Sequence, residues 1–170
     1  MTGEGSDSWH IRLAREDDAA GFARIANEAL QHGTGVVSSV PPDPDTYRIL
    51  ITRRHCLSAE ADGHVIGFAA CRPATRELHL EGLAVAKAWR RHGIGGSLVA
   101  AAVIDAANSG FQAITAITLG DEEGRSPFLE RYGFVRIRDL GNQARLHRGV
   151  EQATQTGLPR DRLSAMIRFL

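Results

Sequence analysis

Apolar side chains recur along this chain at two spacings, and the changes from one to the other mark out its elements. The opening "MTGEGSDS" is small and polar and is expected to be flexible, so an ordered domain is expected from about residue 9 onward. "WHIRLA" alternates apolar and polar positions, which predicts a short strand. Phe22, Ile25, Ala26, Ala29 and Leu30 then follow helical spacing behind the acidic turn Glu16-Asp17-Asp18, predicting a helix from about Glu16 to Gln31. "HGTGVVSSVPPDPD" offers no period and predicts a mobile loop over a site, before a short helix from Asp45 to about Arg54 capped by Asp43 or Asp45. "CLSAEA" and "HVIGFAAC" flank Asp62-Gly63, a hairpin signal, and "ELHLEGLAV" (Glu77 to Val85) reads as a third strand. Leu98, Val99, Ala102, Val103 and Ala106 form one stripe of a helix from Gly95 to about Asn108. "FQAITAITL" predicts a buried strand, "RSPFLERYG" a short helix stopped by Gly133, "FVRIR" a strand, Gln143 to Gln155 a helix, and "LSAMIRFL" a closing strand.

That order predicts a single mixed α/β domain, with a helical crossover joining two parallel strands and a ligand at their carboxyl ends. The chain has 170 residues, 43% of them hydrophobic and 24% charged, enough for one sizeable core. Twenty basic and twenty acidic residues cancel, so no global charge points to nucleic acid or an anionic membrane. Lys87 is the one lysine, so nearly all the positive charge sits on arginine forks suited to phosphate oxygens. No apolar run approaches the roughly 18 residues of a membrane span. Cys56 and Cys71 read as free buried thiols in a reducing cytoplasm, with a disulfide across the hairpin as the alternative.

Candidate chemistry concentrates at "RRHGIGG", residues 90 to 96, where basic side chains and three glycines open the second long helix. Glycines let a group approach the main chain, and the unpaired N–H groups of a helix start favour an anion. On the preceding strand Glu77, His79 and Glu81 alternate, and they share a face if the strand is regular. Such side chains need solvent, partners or a substrate. They read either as a base or amine-recognising group, or as a solvated face with salt bridges. A bulge at Gly82 would change their parity.

Taken together, "IRLAREDDAAGFARIANEA", "GLAVAKAWRRHGIGGSLV" and "FLERYGF" resemble the GCN5-related N-acetyltransferase superfamily over nearly the whole chain. The resemblance implies a largely antiparallel central sheet with a parallel pair at the coenzyme site and helices on both faces. It also implies acetyl-CoA as co-substrate, no metal, and direct transfer to the primary amine of a small or amino-acid-like acceptor. Pantetheine would meet Leu83, Ala84 and Val85, and the Val85 N–H would serve the thioester carbonyl. The pyrophosphate would meet the N–H groups of Gly93, Ile94, Gly95, Gly96 and Ser97, with Arg90, Arg91 or His92 nearby. Glu81 is the first candidate base, with a pKa raised by burial, and His79 the second. Many members carry a tyrosine four residues before the Gly-Phe pair as general acid. Here Leu129 stands there, leaving Tyr132, Ser126 or water. The closing strand resembles a tail found near the acceptor site or subunit contact, and a homodimer through the late strands is expected. A coenzyme-binding module with little catalysis is the alternative. A P-loop is excluded, since Gly-Lys-[Ser/Thr] is missing.

Overall fold

The computed structural model describes residues 8–29 and 35–170; the first seven residues of the flexible start expected at 1–8 and the helix end expected at residues 30–31 lie outside these. Strand β1 (His10–Leu13) leads through a 3-10 turn at Glu16–Asp18 into α1 (Ala19–Ala29). The Asp18 carboxylate fixes that corner. It accepts two hydrogen bonds from Arg12, at 2.7 and 3.0 Å, one from the Arg15 N–H at 2.8 Å and one from the Ser58 hydroxyl at 2.8 Å. Arg12 also pairs with Glu60, so one buried cluster ties the first helix to two strands. Strand β2 (Gly35–Val36) follows, then α2 (Pro44–Thr52), whose N-cap is Asp43, its carboxylate accepting from the Thr46 N–H at 2.8 Å.

The hairpin forms as expected. Strands β3 (Leu57–Ala61) and β4 (His64–Ala74) join through Asp62 and Gly63, which take φ values of 50° and 77°, both left-handed as a tight hairpin turn requires. Strand β5 (Glu77–Val85) is followed by α3 (Ile94–Asn108), β6 (Ala113–Leu119), α4 (Pro127–Glu130), β7 (Val135–Arg136), α5 (Ala144–Gln155) and β8 (Leu163–Phe169). The chain departs from the sequence reading at two places. "FVRIR" pairs over two residues only, and the stretch read as free of regular structure contains β2.

The sheet order is β1-β3-β4-β5-β6-β8-β7, antiparallel throughout except for the β5–β6 pair. Helix α3 covers one face, packing Leu98, Val99, Ala102, Val103 and Ala106 on Ala69, Cys71, Leu78, Leu80, Ile114 and Ala116. On the other face α1 and α2 pack Phe22, Ile25, Tyr47, Leu50 and Ile51 against Phe68 and Ala70. Helix α5 packs Leu146, Val150 and Ala153 against Ile117, Leu119, Leu163 and Ala165. The two covers on this second face do not merge, and a polar strip lies between them. Cys56 and Cys71 are free and buried, the Cys56 thiol pointing at the Cys71 carbonyl.

Candidate functional site

Two breaks in regular pairing create the site. Strands β5 and β6 pair in parallel from Glu77–Ala113 to Leu80–Ala116 and then part. Beyond that point the free edge of β6 is taken by β2, with Gly35 opposite Leu119 and Val36 opposite Thr118, and by the Val37 N–H on the Ile117 carbonyl at 2.8 Å. The second break is a bulge within β5, where Ala70 faces Gly82 and Cys71 faces Leu80, leaving Glu81 unmatched. Its effect is legible in the packing. Leu78 and Leu80 point to the α3 face before the bulge, and Leu83 and Val85 do so after it. Gly82 instead faces Phe68 of the opposite cluster, so Glu81 and Gly82 sit side by side on one face.

Glu77, His79 and Glu81 therefore do share the polar strip, as their alternation predicted. Each is held by residues from other elements. Glu77 pairs with Arg145 of α5 at 2.8 Å, and the same Arg145 Nη2 donates to the Thr115 hydroxyl at 3.1 Å. Thr115 lies 2.9 Å from His79 Nδ1. Glu81 Oε1 accepts from the Ser39 N–H at 2.6 Å and the Ser39 hydroxyl at 2.7 Å; its Oε2 accepts from Arg72 Nε and Nη2 at 3.3 and 3.2 Å. Both groups are buried, with 3% of His79 and none of Glu81 exposed.

Those contacts set the charges, and they correct one expectation. Burial pushes the Glu81 carboxyl upward, but the neighbouring imidazole, the two Ser39 hydrogen bonds and Arg72 outweigh it, and its pKa falls below the ordinary glutamate range instead of rising toward neutrality. His79 is pushed down to about 4, chiefly by burial, with Arg145 and Arg72 adding to the shift against the opposing pull of Glu81. At neutral pH the pair is a carboxylate beside a neutral imidazole. Above them stands Tyr47 of α2, whose phenol is raised to about 12 by burial and by the charge of Glu81. The expected mobile loop is anchored here, since Ser39 ties it to Glu81.

At the start of α3 the glycine turn takes the form expected of an anion cradle. Arg91 and Gly93 adopt φ values of 65° and 78°, and Gly93 is the N-cap. The N–H groups of Gly93, Ile94, Gly95 and Gly96 have no acceptor among the described residues. Ser97 does not join them. Its N–H closes the first turn on the Gly93 carbonyl at 3.1 Å, which corrects its expected place among the free donors. Arg90 reaches back to the Val85 carbonyl at 3.2 Å, and His92 Nδ1 lies 3.0 and 2.9 Å from the Trp89 and Arg90 carbonyls; both side chains brace the turn. Arg91 stays exposed. Leu83, Ala84 and Val85 pair with Ala69, Phe68 and Gly67 on one edge only, the other edge having lost β6.

The candidate acids are placed apart. Leu129 is buried in the α3-side core. Tyr132 packs beside Phe128 with its hydroxyl against Gly96, where a Cβ would overlap it. Ser126 Oγ lies 2.7 Å from the Thr118 hydroxyl. Ser39, Tyr47, Arg72, Thr115 and Arg145 escaped sequence reading. They come from five separate stretches of chain, and only the odd placement of Arg72 at the end of an apolar run hints at one of them. Among the described residues no three His, Cys, Asp or Glu side chains converge to hold a metal, and no helix is long and apolar enough to cross a membrane.

Solved structures share this architecture. Rv2747 from Mycobacterium tuberculosis, in complex with CoA and NLQ, is 19% identical with a TM-score of 0.68, over 95% of this chain and 99% of that one. The yncA protein of Salmonella typhimurium with acetyl-CoA is 20% identical with a TM-score of 0.70, over 96% and 95%. N-acetylglutamate synthase from Neisseria gonorrhoeae, complexed with coenzyme A and N-acetyl-glutamate, is 17% identical with a TM-score of 0.69; the match takes in 97% of this chain but only 36% of that longer one. The family model described as "Acetyltransferase (GNAT) family" matches residues 22–134, and by that match this chain belongs to the GNAT acetyltransferases.

Proposed function

We propose that the protein transfers an acetyl group from acetyl-CoA to the primary amine of a small or amino-acid-like acceptor, directly and within a ternary complex. The observation that carries this reading is the row of four unpartnered N–H groups, Gly93 to Gly96, at the helix end beside the gap where β5 and β6 part. Those donors fit a pyrophosphate, and the one-sided backbone of Leu83 to Val85 fits the amide-bearing arm that follows it. The acetyl group arrives activated as a thioester. The acceptor nitrogen bonds to the acetyl carbon, the carbon–sulfur bond breaks, and the proton shed by the amine ends on the CoA thiol.

In this reading the Val85 N–H polarises the thioester carbonyl, and Glu81 takes the amine proton directly or through water. Glu81 is ionised across the neutral range, and taking a proton requires one of its contacts with Ser39 or Arg72 to open toward the substrate. The leaving thiolate needs little help near neutral pH, which suits a site whose Leu129 position holds no phenol. Tyr132 is the nearest phenol to the cofactor turn and the candidate donor. Holding both substrates in line supplies much of the rate. A homodimer through the β7–β8 edge fits the exposed Val135 and Phe169 there, and two free buried thiols fit a reducing cytoplasm.

The buried Leu129 favours one second reading, a coenzyme-binding module with little catalysis. Calorimetry with CoA and thiol release over a panel of amines decide between them. Binding together with turnover supports the transferase, binding without turnover on any amine supports the module, and a failure to bind CoA removes both.

A further inference from the structure

The floor of the polar strip has more hydrogen-bond donors than acceptors. Both oxygens of Glu81 are filled twice over, and Glu77 gives one oxygen to Arg145. The Thr115 hydroxyl accepts from Arg145, and the one acceptor near its own proton is His79 Nδ1. That hydrogen bond fixes the neutral imidazole with its proton on Nε2. The Nε2–H then has no partner among the described residues. Neither have Arg72 Nη1, Arg145 Nη1 and Nε, nor the Tyr47 hydroxyl. Apart from one oxygen of Glu77, every strong acceptor on this floor is already engaged.

The charges narrow the ligand further. Glu77, Glu81, Arg72 and Arg145 sum to zero around a neutral imidazole, so neither a polycation nor a bare anion is matched. A zwitterion is. Its carboxylate supplies the missing acceptors, while its amine adds the compensating charge. The spacing agrees, since His79 lies about 7 Å behind Glu81 along β5, and the strands part just beyond Leu80. A carboxylate on His79 leaves an amine a few bonds away near Glu81 and the gap.

We propose that the acceptor is a small amino acid whose carboxylate is bound by His79 Nε2–H together with the free guanidinium edges of Arg72 and Arg145. The inference rests on the transferase reading and names the substrate class for it. Arg145 comes from α5 and Arg72 from β4, so the carboxylate is gripped from both sides of the strip. A polyamine or a peptide lacking a nearby carboxylate leaves those partly exposed donors to water and gains none of the charge-assisted hydrogen bonds a carboxylate would make with them.

The test compares amino acids with their own carboxamides as acceptors, following CoA thiol release at saturating acetyl-CoA. In the parent protein the acid is expected to exceed its amide in kcat/KM by tenfold or more. Arg145→Gln, Arg72→Gln and His79→Gln should each shrink that acid-to-amide ratio at least tenfold, chiefly through KM for the acid. Calorimetry with CoA reports whether each variant keeps its fold and cofactor site. A parent that uses amides or polyamines as well as acids overturns the carboxylate assignment and leaves the transferase standing. So does a ratio that survives all three substitutions. A protein that binds CoA and acetylates nothing overturns both readings.

Discussion

Gly95→Ala should move stability and cofactor affinity in opposite directions. A Cβ built on Gly95 falls 3.5 Å from Phe128 Cζ and 3.8 Å from Val85 Cγ2, ordinary contact distances, and its backbone is not left-handed. The fold therefore loses nothing to strain, and replacing a helical glycine by alanine gains about 0.5–1 kcal/mol. For a chain of this length that raises Tm by roughly 1–4 °C. The same methyl group projects between the end of β5 and Phe128, beside the row of free N–H groups. If it displaces an anion from even one of them, the loss is that of a charge-assisted hydrogen bond, about 1.5–3 kcal/mol. The dissociation constant for CoA should then rise roughly 10- to 150-fold. Scanning calorimetry of the free protein and titration calorimetry with CoA read the two effects separately. Unchanged CoA affinity in a stabilised Gly95→Ala protein would refute the assignment of this turn. Gly96→Ala is the control with the opposite fold effect: its methyl meets the Tyr132 hydroxyl and should cost about 1–3 kcal/mol.

Glu81→Gln keeps an oxygen for Ser39 but turns an amide N–H toward the Arg72 fork; turnover should fall about a hundredfold or more with CoA affinity little changed. The parent's rate in that variant would remove Glu81 from the chemistry, and a larger defect in His79→Ala would move the role to the imidazole. Since Glu81 is already ionised at neutral pH, the rising limb of kcat/KM should follow the ammonium pKa of whichever acceptor is used; a limb that stays fixed across acceptors of different basicity contradicts this. Asp18→Asn, far from the strip, should cost about 1.5–3 kcal/mol by weakening its charge-assisted hydrogen bonds to half-buried Arg12, which keeps Glu60, with KM unaffected. Stability should also fall with acid in two stages. His79 has a lowered folded pKa, so the unfolded chain gains a proton first between about pH 6.5 and 4; the depressed Asp18 then loses its contribution as pH drops through its folded value. Urea midpoints across pH, with His79→Gln and Asp18→Asn each flattening its own stage, check the order. Tyr132→Phe should change turnover far less than Glu81→Gln, and an equal loss in both would make the phenol the proton donor.

Strand β5 and the Asp62-Gly63 hairpin were legible because their signals are local: strict alternation in one case, a turn that needs left-handed residues in the other. Helix α3 begins at Ile94, one residue before the Gly95 expected from the sequence, because Gly93, not Ile94, takes the capping conformation. The acidic and imidazole side chains of the strip were legible for the same reason as their strand. Their pKa values were not. Burial could be guessed from position, but Ser39, Arg72, Thr115 and Arg145 are brought in by three neighbouring strands or loops and a distant helix, and Ser39 and Arg72, together with His79, reverse the sign for Glu81. Strand β2 escaped because two residues among glycines and prolines carry no period; it exists only because β6 has a vacant edge to offer. Ser97 was misassigned for a simpler reason. A helix frees its first four N–H groups, and counting from Gly93 makes Ser97 the fifth.

The unmatched residue in β5 also bears on how such a chain can change over time. It splits one strand into two segments answering to different constraints. Upstream, positions 77 and 79 can be exchanged to suit a new acceptor while their even-numbered neighbours keep the α3 core intact. Downstream, the odd positions belong to that core, and in the proposed reading the backbone there serves the coenzyme. Specificity can drift without dragging the shared chemistry along. Straightening the strand at its full length would force a choice between burying Glu81 against α3 and exposing Leu83 to the strip, so it is the one extra residue that lets both segments keep their own faces.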